Sequence, residues 1–164
     1  MYNNLEMLKR NGFVGFKSIF ELWNNHSSIP NERGVYLIIN PRSDSKKFLI
    51  KGVGGFFKQR NPNVSPNVLL NNWVDDSLVL YIGQAGGNGS AATLKKRLKQ
   101  YLDFGKGKAV GHYGGRLIWQ IEHYSELVVA WKILKDDDPK IIERQMINDF
   151  MNQYGKMPFA NLTI

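Results

Sequence analysis

Two short apolar runs constrain the fold of this chain more than any other feature of its sequence. They are residues 34–39, Gly-Val-Tyr-Leu-Ile-Ile, and residues 79–83, Val-Leu-Tyr-Ile-Gly. Both are rich in β-branched and aromatic residues and bounded by turn-forming residues, which is the pattern of strands in a buried sheet. Because side chains alternate between the two faces of a strand, Tyr81 is expected to share its face with Val79. If the two strands pair, the hydroxyls of Tyr36 and Tyr81 can lie on the same side of the sheet.

The length and composition of the chain fit one globular domain. With 164 residues it can bury one core of ordinary size, and its hydrophobic fraction of 43% and charged fraction of 22% are globular values. We therefore expect a single domain over residues 1–164, with an N-terminal extension over 1–32 and an insertion over 44–76 between the two tyrosine-bearing strands.

Charge is the main indication of a partner. The chain has 22 basic and 14 acidic residues, a formal net charge of +8 and a pI of about 9.7. This excess favours a polyanionic partner, either nucleic acid or an anionic membrane surface.

No apolar run approaches the roughly 18 to 20 residues needed to cross a bilayer, and the first ten residues lack the apolar core of a secretory signal. The chain also has no cysteine, so we expect a cytoplasmic protein with no membrane partner and no thiolate metal site.

The rest of the chain alternates between helix and strand patterns, which is typical of a small α+β domain. Phe16, Ile19, Phe20 and Trp23 recur at helix spacing, so residues 1–30 are predicted to be a leading helical segment. Further helices are expected at 66–73, 93–103 and 139–154, and further strands at 47–51 and 127–134. Residues 117–121 fit a helix or a strand, and we favour a helix.

Glu143 is the most informative acidic residue. In the last predicted helix, the residues three, four, seven and eight positions later are Met146, Ile147, Phe150 and Met151, so Glu143 lies in line with an apolar face. A carboxylate there loses hydration and needs a cation, a metal or several hydrogen-bond donors. The alternative is a glutamate that favours the N-terminal end of the helix dipole and extends to water.

Arg97 is the basic residue that borders the apolar stripe of helix 93–103, one turn before Tyr101. A guanidinium in that position can hold a phosphate through two parallel hydrogen bonds, which a lysine does less well. The alternative is a solvated basic helix face, with Tyr101 at the edge of the core.

His112 lies in a glycine-rich loop with the sequence Gly-His-Tyr-Gly-Gly-Arg over residues 111–116. Loops on a rigid scaffold often carry functional residues, so His112 is a rival acid–base group. The alternative is a loop histidine that stacks on Tyr113.

Taken together, these residues resemble the GIY-YIG nuclease family over about residues 33–161. The features that carry the resemblance, in chain order, are Gly34-Val35-Tyr36, Tyr81-Ile82-Gly83, a helical Arg97 with an aromatic residue four positions later, a helical Glu143 and a terminal Asn161.

The resemblance implies a small antiparallel sheet of three core strands flanked by helices, and hydrolysis of phosphodiester bonds with a single Mg²⁺ or Mn²⁺ ion. Glu143 would be the metal ligand and Arg97 the phosphate clamp. Tyr36 and Tyr81 would be the active-site tyrosines, one of which helps to activate water. Tyr101 takes a place where many relatives have histidine, so it is also an expected catalytic residue.

The chain departs from the family pattern in three ways. Gln84 follows the second motif where several relatives have lysine, so cationic help is expected from Lys95, Lys96 or another residue. The stretch between the two strands is unusually long. Asn161 lies farther along the chain from the acidic helix residue than in relatives, so we treat it, like His112, as an accessory residue.

We therefore expect a metal-dependent endonuclease that acts on double-stranded DNA, of restriction, repair or mobile-element type. Two alternatives stay open. One is a non-catalytic nucleic-acid-binding module with the same fold, which the glutamine at position 84 favours, and the other is an RNA-directed nuclease. Substrate specificity is expected to come from the 44–76 insertion and the 104–116 loop.

Overall fold

Four β-strands and five α-helices make up the regular structure of the chain in the computed structural model, which describes residues 1–42 and 45–164. Asp44, the first residue of the predicted insertion, lies outside the described residues. The strands are β1 (Val14–Ser18), β2 (Gly34–Ile39), β3 (Val79–Ala85) and β4 (Val128–Ile133). The helices are α1 (Leu5–Arg10), α2 (Ile19–Asn24), α3 (Pro66–Asn72), α4 (Leu94–Gly105) and α5 (Pro139–Tyr154). Short 3₁₀ helices lie at Phe57–Gln59, Gly87–Gly89, Arg116–Gln120 and Tyr124–Glu126.

The strands form one antiparallel sheet in the order β1-β4-β2-β3. The prediction of an α+β chain with an antiparallel sheet is confirmed, but the expected count of three strands is wrong. The additional strand, β1, comes from the N-terminal segment, where only helix was expected. It pairs with β4, so that Val14 lies opposite Trp131. The N-terminal segment is therefore part of the sheet as well as a helical extension.

Backbone geometry within β1 explains why helix spacing was misleading there. Gly15 and Phe16 have φ angles of 93° and 50°, and the pairing register shifts at this point as in a β-bulge. The ring of Trp131 leaves no room for a side chain at Gly15, because a Cβ there would lie 2.6 Å from the ring. Helix α2 begins only after Ser18, whose hydroxyl accepts from the N–H of Glu21 while the Glu21 carboxylate accepts from the N–H of Ser18.

A second bulge lies in the pairing of β2 with β3. Val79 pairs with Ile39, and Leu80 is the extra residue before the regular register resumes at Tyr81. Tyr36 and Tyr81 therefore face the same core, as predicted. Val79 faces the opposite core, so the prediction that it shares a face with Tyr81 is wrong.

Both faces of the sheet are buried. Helices α2, α3 and α4 cover the face that carries Tyr36 and Tyr81. Helices α1 and α5 cover the other face, where Phe150 packs against Val35 and its neighbours. Burial on both sides explains why β2 is an unbroken apolar run with every residue buried.

Local signals correctly predicted the position of the last helix. Asp138 precedes α5, its carboxylate accepts a hydrogen bond from the N–H of Lys140, and Pro139 takes the first helical position. Gly155 ends the helix with a φ of 74°, which is in the left-handed region that favours glycine. The expected strand at 47–51 is reduced to one isolated bridge between Phe48 and Ile121. None of the helices in residues 1–42 and 45–164 combines the length and apolar character needed to cross a membrane.

Candidate active site

Two tyrosines from adjacent strands are in contact at the centre of the site. The ring centroids of Tyr36 and Tyr81 lie 6.0 Å apart with an angle of 57° between the ring planes. Tyr36 lies opposite Gly83 in the sheet, and a Cβ at Gly83 would lie 2.6 Å from the Tyr36 hydroxyl oxygen. The glycine of the second motif therefore has a steric role, because it leaves the space that the Tyr36 phenol occupies.

The glycine-rich loop at residues 111–116 packs against Tyr81 and against a third tyrosine, Tyr101. Tyr101 stacks on Tyr81 with ring centroids 5.9 Å apart, and its hydroxyl donates to the carbonyl oxygen of Gly115 at 2.9 Å. A Cβ at Gly114 would lie 3.0 Å from the Tyr81 hydroxyl oxygen. Tyr101, which was expected to be catalytic, is fully buried, and its hydroxyl holds this loop against Tyr81.

Glu143 enters the site from α5 with its carboxylate in an ion pair. The residue is only 8% exposed, and the Nζ of Lys140 lies 2.8 Å from its Oε2 atom. The structure thus favours the interpretation of Glu143 as a buried carboxylate that needs a cation over that of a glutamate extending to water. The residues that follow it on the same helix face, Met146, Ile147 and Phe150, are buried in the core as the spacing predicts.

Glu143 and Tyr81 line one open pocket of about 400 Å³. β3 is an edge strand, so a helix on one face of the sheet and a loop on the other can meet beside it. The pocket is also lined by Lys140 and Arg116, and by the C-terminal residues 160–164. The guanidinium of Arg116 lies 4.0 Å from the ring centroid of Tyr113, and its Nε is buried without a hydrogen-bond partner among the described residues. A carboxylate, a phenol and two cations therefore surround one space.

Arg97 lies in a neighbouring pocket of about 300 Å³, together with Gln84, Lys96 and Gln100. Its Nη1 lies 3.5 Å from the amide oxygen of Gln100. The structure therefore brings Arg97 close to the tyrosines but not into the pocket that Glu143 lines. The side-chain oxygen of Gln84 accepts a hydrogen bond from the N–H of Gly87 at 2.9 Å, which orders the turn after β3.

The pKa values of the two central tyrosines reflect their burial and the charges around them. Burial raises the pKa of Tyr36 well above its usual value, the nearby Tyr81 raises it further, and Arg97 opposes this shift. Burial also raises the pKa of Tyr81 to about 12, with a further contribution from Glu143, while Arg97 again opposes it. Both phenols are therefore neutral at neutral pH, and additional positive charge is needed before either can accept a proton.

His112 is buried against Tyr101, with ring centroids 4.7 Å apart. The interpretation that it stacks on Tyr113 is wrong, because Tyr113 contacts Arg116 and Arg60 instead. Neither ring nitrogen of His112 has a hydrogen-bond partner among the described residues. Burial, with a smaller contribution from the charge of Arg97, lowers its pKa to about 3. His112 is therefore a neutral core side chain at neutral pH.

The other two accessory residues have different environments. Asn161 forms two hydrogen bonds with the backbone of Ile82, accepting from its N–H and donating to its carbonyl oxygen, both at 2.9 Å. It thereby continues the sheet pairing at the outer edge of β3 and fixes the strand beside Tyr81. Lys95 lies on α4, where its backbone N–H donates to the carbonyl oxygen of Pro30. Lys96, rather than Lys95, lines the pocket that contains Arg97.

The pocket offers one carboxylate to a divalent cation. Among the described residues, no three His, Cys, Asp or Glu side chains lie close enough to hold a metal ion together. Lys140 contacts Oε2 of Glu143, and no residue in the described ranges hydrogen-bonds to Oε1. One carboxylate oxygen is thus available, which fits a hard cation that keeps most of its water ligands.

Sequence reasoning missed Lys140 and Arg116. Lys140 precedes Glu143 by three residues on a helix, a spacing that places two side chains side by side and could have identified the pair. Arg116 ends the glycine-rich loop that was noted for its histidine.

Comparisons with protein-family models, curated proteins and solved structures find no match to this chain.

Proposed function

We infer that this protein is a metal-dependent endonuclease of the GIY-YIG type that hydrolyses phosphodiester bonds in double-stranded DNA. The observation that carries the inference is the shared pocket in which Glu143 and Tyr81 meet Lys140 and Arg116. Hydrolysis of a phosphodiester needs a group that takes a proton from water and positive charge that stabilises the transition state. The four side chains supply both functions within one space, and the net charge of +8 favours a polyanionic substrate.

The two tyrosines differ in their access to this pocket. Tyr81 lines it and is 8% exposed, whereas Tyr36 is 1% exposed and contacts Tyr81 from behind the strand edge. We assign Tyr81 as the group that orients the attacking water and that takes its proton once positive charge in the pocket has favoured loss of the phenol's own proton to solvent. Tyr36 is the residue that positions Tyr81. The oxygen of the water bonds to phosphorus as the bond from phosphorus to the 3′ oxygen breaks, and the 3′ oxygen takes a proton from solvent and leaves as a hydroxyl.

Positive charge at the scissile phosphate comes from several side chains. Arg116 and Lys140 line the pocket and bind the phosphate that enters it. Arg97 holds the backbone on the side of Gln84 and opposes the rise in the pKa of both tyrosines. Glu143 would hold a divalent ion such as Mg²⁺ or Mn²⁺, which supplies further charge neutralisation at the phosphate when bound.

Cleavage of supercoiled plasmid DNA in a series of Mg²⁺ and Mn²⁺ concentrations tests the proposal. The wild-type protein is expected to nick or linearise the plasmid, and Glu143→Ala to be inactive. Glu6→Ala is a matched control, because Glu6 also pairs with a lysine three residues away on a helix but is 69% exposed on α1. Cleavage that survives in Glu143→Ala would contradict the proposal. Parallel digestion of single-stranded RNA distinguishes an RNA-directed nuclease.

A non-catalytic nucleic-acid-binding module is the second candidate function. The observation that favours it is the ion pair between Lys140 and Glu143, which already neutralises the carboxylate in the absence of any metal. This alternative predicts salt-sensitive DNA binding that is unchanged by EDTA, with no cleavage in any divalent metal. Turnover that depends on Glu143 would exclude it.

A further inference from the structure

A second pocket lies beside the active site and has no part in the chemistry described above. It is formed where the 3₁₀ turn Phe57–Gln59 meets the glycine-rich loop, and its volume is about 190 Å³. Phe57, Lys58, Arg60, Gly111 and Tyr113 line it. We refer to it as the aromatic pocket.

The lining of the aromatic pocket combines flat rings with positive charge. The Nζ of Lys58 lies 5.4 Å from the ring centroid of Phe57. The guanidinium groups of Arg60 and Arg116 lie 5.8 Å and 4.0 Å from the ring centroid of Tyr113. Two aromatic rings and two cations line the pocket, and Arg116 adds a third cation at the ring of Tyr113. This combination favours a ligand that is both planar and attached to an anion.

Tyr113 lines both the aromatic pocket and the pocket that contains Glu143. Its hydroxyl donates to the carbonyl oxygen of Asn61 at 3.0 Å, which ties the glycine-rich loop to the segment that follows Phe57–Gln59. A chain of nucleotides with a phosphate near Arg116 would therefore have its neighbouring base next to Tyr113.

The size of the aromatic pocket excludes a base pair but allows one base. Gly111 faces the ring of Phe57, because a Cβ at Gly111 would lie 3.5 Å from the Cζ atom of that ring. The absence of a side chain at residue 111 thus keeps the space in front of the ring open. A base can enter it only if it is not stacked and paired within a duplex.

We propose that the aromatic pocket binds an unpaired nucleobase next to the scissile phosphate, so that the preferred substrate is DNA with a bulged, mismatched or single-stranded nucleotide. The position next to the scissile phosphate rests on the proposed function, but binding of the base does not. Stacking on Phe57 and contact with Arg60 hold the base, while Arg116 contacts the phosphate. Because every base has a flat face, this interaction selects for an unpaired nucleotide more than for its identity.

Binding of 2-aminopurine duplexes in EDTA tests the proposal without cleavage. One duplex carries 2-aminopurine as a single bulged nucleotide, and the other carries it fully paired. The wild-type protein is expected to bind the bulged duplex about tenfold more tightly and to change the fluorescence of the bulged base. Equal affinity for the two duplexes would overturn the proposal alone, whereas a lack of binding to either would overturn both the proposal and the proposed function.

Two substitutions address the pocket directly. Phe57→Leu keeps an apolar side chain but removes the flat ring, and Gly111→Val fills the space in front of that ring. Both are expected to abolish the preference for the bulged duplex while binding of the paired duplex changes less than about twofold. Circular dichroism of each variant confirms that it is folded. A preference that persists in both folded variants would overturn the proposal.

A matched pair of arginine variants separates local binding from general charge. Arg60→Gln should reduce the affinity for the bulged duplex more than that for the paired duplex. Arg10→Gln removes the same charge from α1, which packs on the opposite face of the sheet, and should affect the two duplexes equally. Equal effects of Arg60→Gln on both duplexes would contradict a role for Arg60 in base binding.

Discussion

Lys140 and Glu143 form an ion pair across one turn of α5, with 2.8 Å between Nζ and Oε2, inside the pocket that Tyr81 also lines. The lysine and a divalent cation would therefore compete for the same carboxylate. Lys140 also lies beside the turn after β3, since Gly87, whose N–H donates to the Gln84 side chain, packs against the Cβ and backbone N of Lys140.

Lys140→Met should therefore affect metal binding and cleavage in opposite directions. Removal of the competing charge is expected to tighten Mn²⁺ binding roughly tenfold. Loss of a cation from the pocket is expected to slow cleavage at saturating Mn²⁺. Titration calorimetry with Mn²⁺ and single-turnover nicking measure the two effects. Lys9→Met, which breaks the exposed pair with Glu6 on α1, should change neither, and unchanged Mn²⁺ affinity in Lys140→Met would contradict the competition.

The difference in exposure between the two central tyrosines predicts a difference between their phenylalanine variants. Tyr81→Phe removes the hydroxyl that lines the pocket, and should lower the single-turnover cleavage rate by at least about 100-fold. Tyr36→Phe removes a hydroxyl that is buried behind Tyr81, and should lower the rate by less than about tenfold. If Tyr36→Phe proves to be the more damaging substitution, the assignment of Tyr81 as the proton acceptor is wrong.

The burial of His112 predicts that the folded protein loses stability in acid. Burial lowers the pKa of this histidine from 6.5 to about 3, so the folded protein holds it neutral while the unfolded chain protonates it below pH 6.5. Its contribution to stability is therefore present above pH 6.5 and is lost as the pH falls towards 3. The slope attributable to this one group is up to about 1.4 kcal/mol per pH unit.

Urea unfolding between pH 7 and pH 4 measures this effect. His112→Phe retains an aromatic ring beside Tyr101 and should have a flatter dependence of unfolding free energy on pH than the wild-type protein. His26→Gln, which changes a histidine outside the two core clusters, should retain the wild-type slope. Identical slopes for wild type and His112→Phe would show that His112 is not held neutral in the folded state.

The parts of the fold that could be predicted from the sequence are those that depend on residues close together in the chain. Asp138 and Pro139 begin α5 and Gly155 ends it, and each does so through its own backbone or side-chain geometry. Residues 34–39 could be recognised as a strand because a strand that is buried on both faces of a sheet is an unbroken apolar run. β1 was not predicted, because its partner β4 is distant in the chain and the bulge at Gly15 and Phe16 disrupts the alternation that identifies a strand.

The predictable parts of the site are those in which spacing along a strand or a helix decides which face a side chain occupies. The spacing placed Tyr36 beside Tyr81 and set Glu143 on the apolar side of α5. Which cation reaches the carboxylate depends on how α5 lies against β3. The sequence offered Lys95 and Lys96 of α4 only as replacements for the lysine that relatives have at position 84, and it did not identify Lys140. The contact of Asn161 with Ile82 was also unpredictable, because it depends on where the C-terminal segment lies beside the sheet edge.

The contact between Gly83 and Tyr36 gives a prediction about stability. A Cβ at Gly83 would lie 2.6 Å from the Tyr36 hydroxyl oxygen, so Gly83→Ala should destabilise the protein by about 1 to 3 kcal/mol. Gly111→Ala is the matched control, because its Cβ would meet only Phe57, at an ordinary contact distance of 3.5 Å.

A double-mutant cycle measured by urea unfolding isolates the cause of this effect. Tyr36→Leu removes the phenol, so Gly83→Ala should cost at least about 1 kcal/mol less in that background than in the wild-type protein. Strict additivity of the two substitutions would show that the cost of Gly83→Ala arises from the backbone of β3 rather than from the phenol. In that case the glycine would have no specific role in accommodating Tyr36.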